Sequence, residues 1–103
     1  MQRLYRLAEG YRRRFPQGDE PYQILARLLE ECGEVAREVN HWEGSGVKRT
    51  KHGEPSRERL AAEIKQVLAG AIGLASYYGI EDELERSIGD SLARMQSEGL
   101  IPG

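Results

Sequence analysis

The chain lacks most of the features that commit a protein to a particular class. A single cysteine, Cys32, rules out an intrachain disulfide and leaves no second thiolate to build a zinc site; it reads as a packing residue on a helix. No run of alternating β-branched residues occurs, so strands are not expected. The longest apolar stretch, Val67 to Tyr78, is too short to span a bilayer, and the start, MQRLYRLAEGYRRRF, is amphipathic where a signal peptide would be continuously apolar. No membrane partner is expected, and the location expected is cytoplasmic. The formal net charge is only −2, which gives no global field to draw in a polyanion. The basic run Arg12 to Arg14 has no interleaved aromatics, so nucleic acid is not an expected partner either.

What is present is a globular balance, 31% charged and 39% hydrophobic residues, in 103 residues that read as a single domain, residues 1–103. A chain of this size gains from a partner that covers apolar surface. The periodicity predicts an all-α fold, an antiparallel bundle of about four helices. The first covers about Gln2 to Phe15 and stops at the breaker cluster Pro16-Gln17-Gly18. Asp19 or Glu20 precedes Pro21, a favoured first-turn residue, and opens a second helix to about Trp42, with Ile24, Leu25, Leu28, Val35 and Val39 at helical spacing. Glu43 to Pro55 has three glycines, a proline and several basic residues without periodicity, and reads as a long functional loop. Ser56 caps a third helix running to Tyr78, apolar nearly all round from Val67, as a helix buried on several sides would be. Gly70 and Gly73 within it permit close approach of another helix. Gly79 ends that helix, and Glu81 and Asp82 suit the start of a fourth, through about Gln96, with Leu84, Ile88, Leu92 and Met95 on its apolar face. The tail, GLIPG, reads as frayed.

Carboxylates crowd the second helix, where LLEECGEVAREVNH sets Glu30, Glu31, Glu34 and Glu38 within about three turns. Glu31 and Glu34, three apart, project from neighbouring points and can share one cation. Arg27 and Arg37 are spaced to pair with these acids, so a solvated charge ladder is the plain alternative. Two features favour a site. Gly33 lies among the acids at a cost in helix propensity and leaves room for a ligand, a metal or a packed helix. Glu63, on the third helix, has apolar surroundings that call for a paired or metal-bound state. Hard divalent cations such as Mg²⁺ choose oxygen donors, which these are. Zinc suits them less: Glu38 and His41 form half of a di-iron-type motif, but the only other histidine, His52, lies in the loop, and His41 reads as pairing with the last helical turn.

LLEECGEVAREVNH, a basic loop, and then AAEIKQVLAGAIGLASYYGIEDELE together resemble the MazG-type all-α nucleoside triphosphate pyrophosphohydrolases over roughly residues 22–95. The family's Glu-Glu-x-x-Glu is matched by Glu30, Glu31 and Glu34. Its Glu-x-x-Asp is matched by Glu63, with Gln66 where the family has aspartate. The resemblance implies an oligomeric helical bundle, a dimer or tetramer, that uses Mg²⁺, or Mn²⁺, to convert a nucleoside triphosphate to monophosphate and pyrophosphate. It implies Glu31, Glu34, Glu63 and position 66 as ligands, with Glu30 positioning or deprotonating the attacking water. Lys48, Arg49 and Lys51 are then candidates for holding phosphates, and Asn40 and Trp42 for contacting the base. An amide at Gln66 replaces a charged oxygen with a neutral one and weakens metal affinity. The alternative reading is therefore a catalytically inactive nucleotide-binding or regulatory protein with the same fold.

Overall fold

Local chemistry sets the helix ends. The computed structural model describes residues 1–18, 20–44 and 53–103, and among these it contains four α-helices and no strand. Helix α1 is Gln2–Arg14, followed by a 3₁₀ turn at Pro16–Gly18; α2 is Pro21–Trp42, α3 Arg57–Tyr77 and α4 Glu81–Ser97. Pro21 opens α2, and the Glu20 backbone N–H donates to the Gln23 side chain at 3.3 Å, which satisfies a donor the helix cannot. Ser56 caps α3 by accepting from the Arg59 N–H at 3.1 Å. Gly79, at φ 65, takes the left-handed position that closes α3.

The tail is more ordered than its composition suggests. Gly99 adopts φ 74, the Leu100 N–H donates to the Met95 carbonyl at 2.9 Å, and the Gln96 side chain donates to the Pro102 carbonyl at 3.3 Å. A glycine after the last helical turn lets the chain reverse and satisfy carbonyls that a frayed end would leave to water.

Helices α2 and α3 form the central pair. A Cβ placed on Gly70 would lie 3.3 Å from Leu28 Cδ1, and one on Gly73 would lie 3.9 Å from Ile24 Cγ2, so α3 numbering falls as α2 numbering rises and the two run antiparallel. The two glycines of α3 thus serve close approach within the chain. Helix α1 packs on α3, while α4 touches it only slightly. Tyr5 Oη donates to Glu85 Oε1 at 3.4 Å and ties the start of α4 to α1.

The buried apolar core is small: Ala8, Ile24, Ala69, Ile72 and Ala75. From Val67 onward α3 meets neighbours on several sides, as its sequence predicts, with Ala69, Ile72 and Ala75 buried, but Leu68 and Tyr77 stay exposed. Its hydrophobic circumference has helices on part of it only. Ile88, Leu92 and Met95 of α4 are likewise exposed, so that helix projects from the body. The radius of gyration, 16.9 Å, exceeds the about 13 Å of a compact chain of this length.

Candidate functional site

At 100° per residue, Ile24, Leu28, Glu31, Val35 and Glu38 fall on the face of α2 that meets α3. Two of those five positions are acids. Glu31 and Glu63 meet across the seam, and Glu31 titrates above the ordinary carboxylate range. Burial is the main cause, followed by its hydrogen bond to Glu63 and the negative charges of Glu63, Glu30 and Glu34. Glu31 donates in that bond only when protonated.

The other acids are held differently. Glu34 pairs with Arg37 at 3.2 Å, in the exposed geometry expected of a charge ladder. Glu38 Oε1 meets Arg59 Nε at 3.5 Å, its side chain only 13% exposed, and its buried Oε2 has no hydrogen-bond partner among the described residues. Glu30 is exposed. Lys65, beside Gln66 in sequence, is exposed as well. Among the described residues no three His, Cys, Asp or Glu side chains converge as a ready metal-binding group.

Glu31 and Gln66 lie in the wall of a cleft of about 410 Å³ between α1, α2 and α3. Such a volume suits a small-molecule ligand. Arg12, Arg14 and Arg27 also line it, as do Tyr11 and Phe15, so the cleft combines acids, cations and aromatic surface. Arg12 ion-pairs with Glu9 in the same wall, and Glu9 also accepts from Arg13 Nε at 3.0 Å.

The α1 contribution was not evident from the sequence. The basic run Arg12 to Arg14 was its only trace, and amphipathicity does not say which helices α1 covers. The structure brings Glu31, Glu63 and Gln66 to one seam. Asn40 is not brought there: it is exposed, nine residues beyond Glu31 and so about 180° around the helix. Trp42 is half-buried in the last turn of α2. His41, next to it, is buried, and its Nε2 donates to the Gly53 carbonyl across the loop, a tertiary role beyond the last helical turn. Cys32 is exposed, contrary to its reading as packing, and the space around Gly33 is open, so no helix among the described residues uses the room it leaves. Lys48, Arg49, Lys51 and His52 lie outside the described residues.

No helix among the described residues is long and apolar enough to cross a membrane. No protein-family model matches the chain, and no solved structure matches it. Over 48 residues, 47% of this chain, it is 42% identical to the uncharacterized protein YpjD of Bacillus subtilis (strain 168). That similarity spans 43% of YpjD, less than half of its length.

Proposed function

We propose that the chain is a metal-dependent nucleoside triphosphate pyrophosphohydrolase of the MazG type, acting as a homo-oligomer. The observation that carries this reading is the Glu31–Glu63 pair, with Glu31 at the wall of a cleft that also presents arginines. Two carboxylates facing one another in a partly desolvated seam are mutually repulsive, and a divalent cation is the counter-charge that suits oxygen donors.

The residues fit Mg²⁺ or Mn²⁺ in chemistry. Glu31 and Glu63 supply opposed carboxylates, Gln66 a neutral amide oxygen, and Glu38 Oε2, which has no hydrogen-bond partner among the described residues, a further oxygen on the same seam. Glu34 joins them by leaving Arg37, which costs little, because an exposed pair of this kind contributes about 0–1 kcal/mol. Bound Mg²⁺ would offset triphosphate charge and lower the pKa of a coordinated water. Glu30 would position the attacking water or take its proton, a role that needs hydrogen-bond reach. Arg12, Arg14 and Arg27 hold phosphate oxygens by charge-assisted hydrogen bonds, in addition to any contribution from Lys48, Arg49 and Lys51. Tyr11 and Phe15 offer a nucleoside an apolar face, with Trp42 near the end of the same seam.

The test is pyrophosphate release from a panel of canonical and modified nucleoside triphosphates with Mg²⁺ or Mn²⁺, against a chelator control. Metal-dependent release is expected. Glu34→Gln, which removes a charge and almost no volume, is expected to abolish it with unchanged far-UV circular dichroism. Release that survives this substitution removes Glu34 from the site.

One observation favours the non-catalytic alternative: Gln66 occupies the family's aspartate position and lines the cleft. On that reading wild-type protein binds nucleotide without turnover, and Gln66→Asp raises Mg²⁺ affinity in a calorimetric titration. Unchanged affinity would show that the amide is not what limits metal binding.

A further inference from the structure

The outward face of α1 is an arginine stripe. At 100° per residue, Arg3, Arg6 and Arg13 fall within an arc of about 80°, centred opposite Ala8, the buried residue of this helix. All three are exposed, and they extend about 15 Å along the helix. Arg14 lies at the edge of the arc and lines the cleft. The run Arg12 to Arg14 alone gave no reason to expect nucleic acid; folding as a helix is what lines up Arg3 and Arg6 with Arg13.

Little within the chain neutralises these charges. No acid falls within the arc. Arg3 and Arg6 have no ion pair among the described residues, and Arg13 has an exposed pair with Glu9, of the kind that contributes about 0–1 kcal/mol. The acidic first turn of α4 meets α1 on the side of Tyr5, through Glu85, about 80° or more around the helix from each of the three arginines.

Gly10 sits in the middle of the stripe. A glycine inside a helix costs about 1 kcal/mol relative to alanine, and a Cβ built on Gly10 meets nothing within 4 Å, so no packing among the described residues uses the missing side chain. The gap it leaves between Arg6 and Arg13 lets the backbone of a ligand come close to the helix.

We propose that this stripe docks the phosphate backbone of a nucleic-acid duplex, without regard to sequence. The proposal does not depend on the hydrolase reading. Every cation of the stripe is an arginine, whose planar fork donates to two oxygens of one phosphate. The stripe has no aromatic side chain on which an unpaired base could stack, which favours a duplex over a single strand. An anionic membrane fits less well, because Leu4, Leu7 and Tyr11 lie on the Ala8 side, where α1 packs on α3, and leave no apolar face to insert. With a formal net charge of −2 the whole molecule adds no attraction, so the contact is short-range and sensitive to salt.

Fluorescence anisotropy of a labelled 20-base-pair duplex, titrated with the full chain, tests this. A Kd on the order of 10⁻⁵ M is expected at 20 mM salt, weakening about 40-fold by 80 mM salt if three phosphates are neutralised. The combined variant Arg3→Gln, Arg6→Gln, Arg13→Gln is expected to bind at least about 30-fold more weakly at 20 mM salt, with unchanged far-UV circular dichroism. If that variant does not fold, Arg6→Gln alone, which breaks no ion pair among the described residues, is expected to lower the slope of log Kd against log salt from about 2.7 to about 1.8. No binding at 20 mM salt with protein up to 500 µM overturns the proposal, as does binding that these variants leave unaltered. Preference for phosphatidylserine-containing vesicles, or for an oligothymidylate of the same length, over the duplex overturns it as well.

Discussion

Ile24 and Leu25 are neighbours in sequence and about 100° apart on one helix, yet Ile24 ends 6% exposed and Leu25 41%. The same contrast runs the length of α2. On the inner face Ile24, Leu28 and Val35 alternate with Glu31 and Glu38, whereas the outer stripe, Tyr22, Leu25, Leu29, Cys32, Ala36 and Val39, carries no carboxylate and no basic side chain. The inner face therefore spends part of its packing potential on holding carboxylates where water is scarce. Acids are thus tolerated on the seam although an uninterrupted apolar stripe is available one-quarter turn away.

Truncation of the inner face breaks this contrast most strongly. Ile24→Ala removes a buried side chain against Gly73 and is expected to cost about 2–4 kcal/mol, read from urea unfolding. A loss under about 0.5 kcal/mol would mean that the inner face is no better packed than the outer.

A smaller effect of opposite sign is expected from Glu31→Gln in metal-free protein. The folded-state pKa of Glu31 is raised, so its stabilising protonation is fully present below the unfolded carboxylate pKa and is lost as pH rises through the folded value. At neutral pH the ionised side chain opposes folding, and the glutamine variant is expected to be the more stable by on the order of 1 kcal/mol. Melting temperatures from pH 4 to 8 check it: wild type should lose stability relative to the variant as pH rises. With Mg²⁺ added, the proposed function predicts the reverse order.

The smallest difference separates two glycines. Gly33→Ala meets open space and is expected to gain about 0.5–1 kcal/mol from helix propensity. Gly70→Ala receives the same propensity gain but brings a methyl group to 3.3 Å from Leu28 Cδ1, so its stability should fall below that of Gly33→Ala by about 1 kcal/mol. Equal gains at both positions would show that the seam can relax.

Much of the fold was legible because it rests on local chemistry. Pro16 to Gly18, Pro21, Ser56 and Gly79 punctuate the chain where their backbone preferences dictate, and the structure places its helix ends there. The acids were legible by spacing, and Glu31 and Glu63 do meet. What the sequence left open is which apolar surface is covered, and by what. Leu68 and Ile72 are both apolar residues of α3, and only contact with other helices makes one exposed and the other buried. The same limit hid the cleft arginines, since Arg12 and Arg14 come to line the same cleft as Glu31 through the packing of α1 and not through any local pattern.

The bond from His41 to the Gly53 carbonyl has an evolutionary consequence. It joins the last turn of α2 to the stretch that leads into α3. Doubling the length of such a segment costs only about 0.6 kcal/mol in closure entropy. Insertions between the two bonded residues are therefore expected to cost the helix pair little.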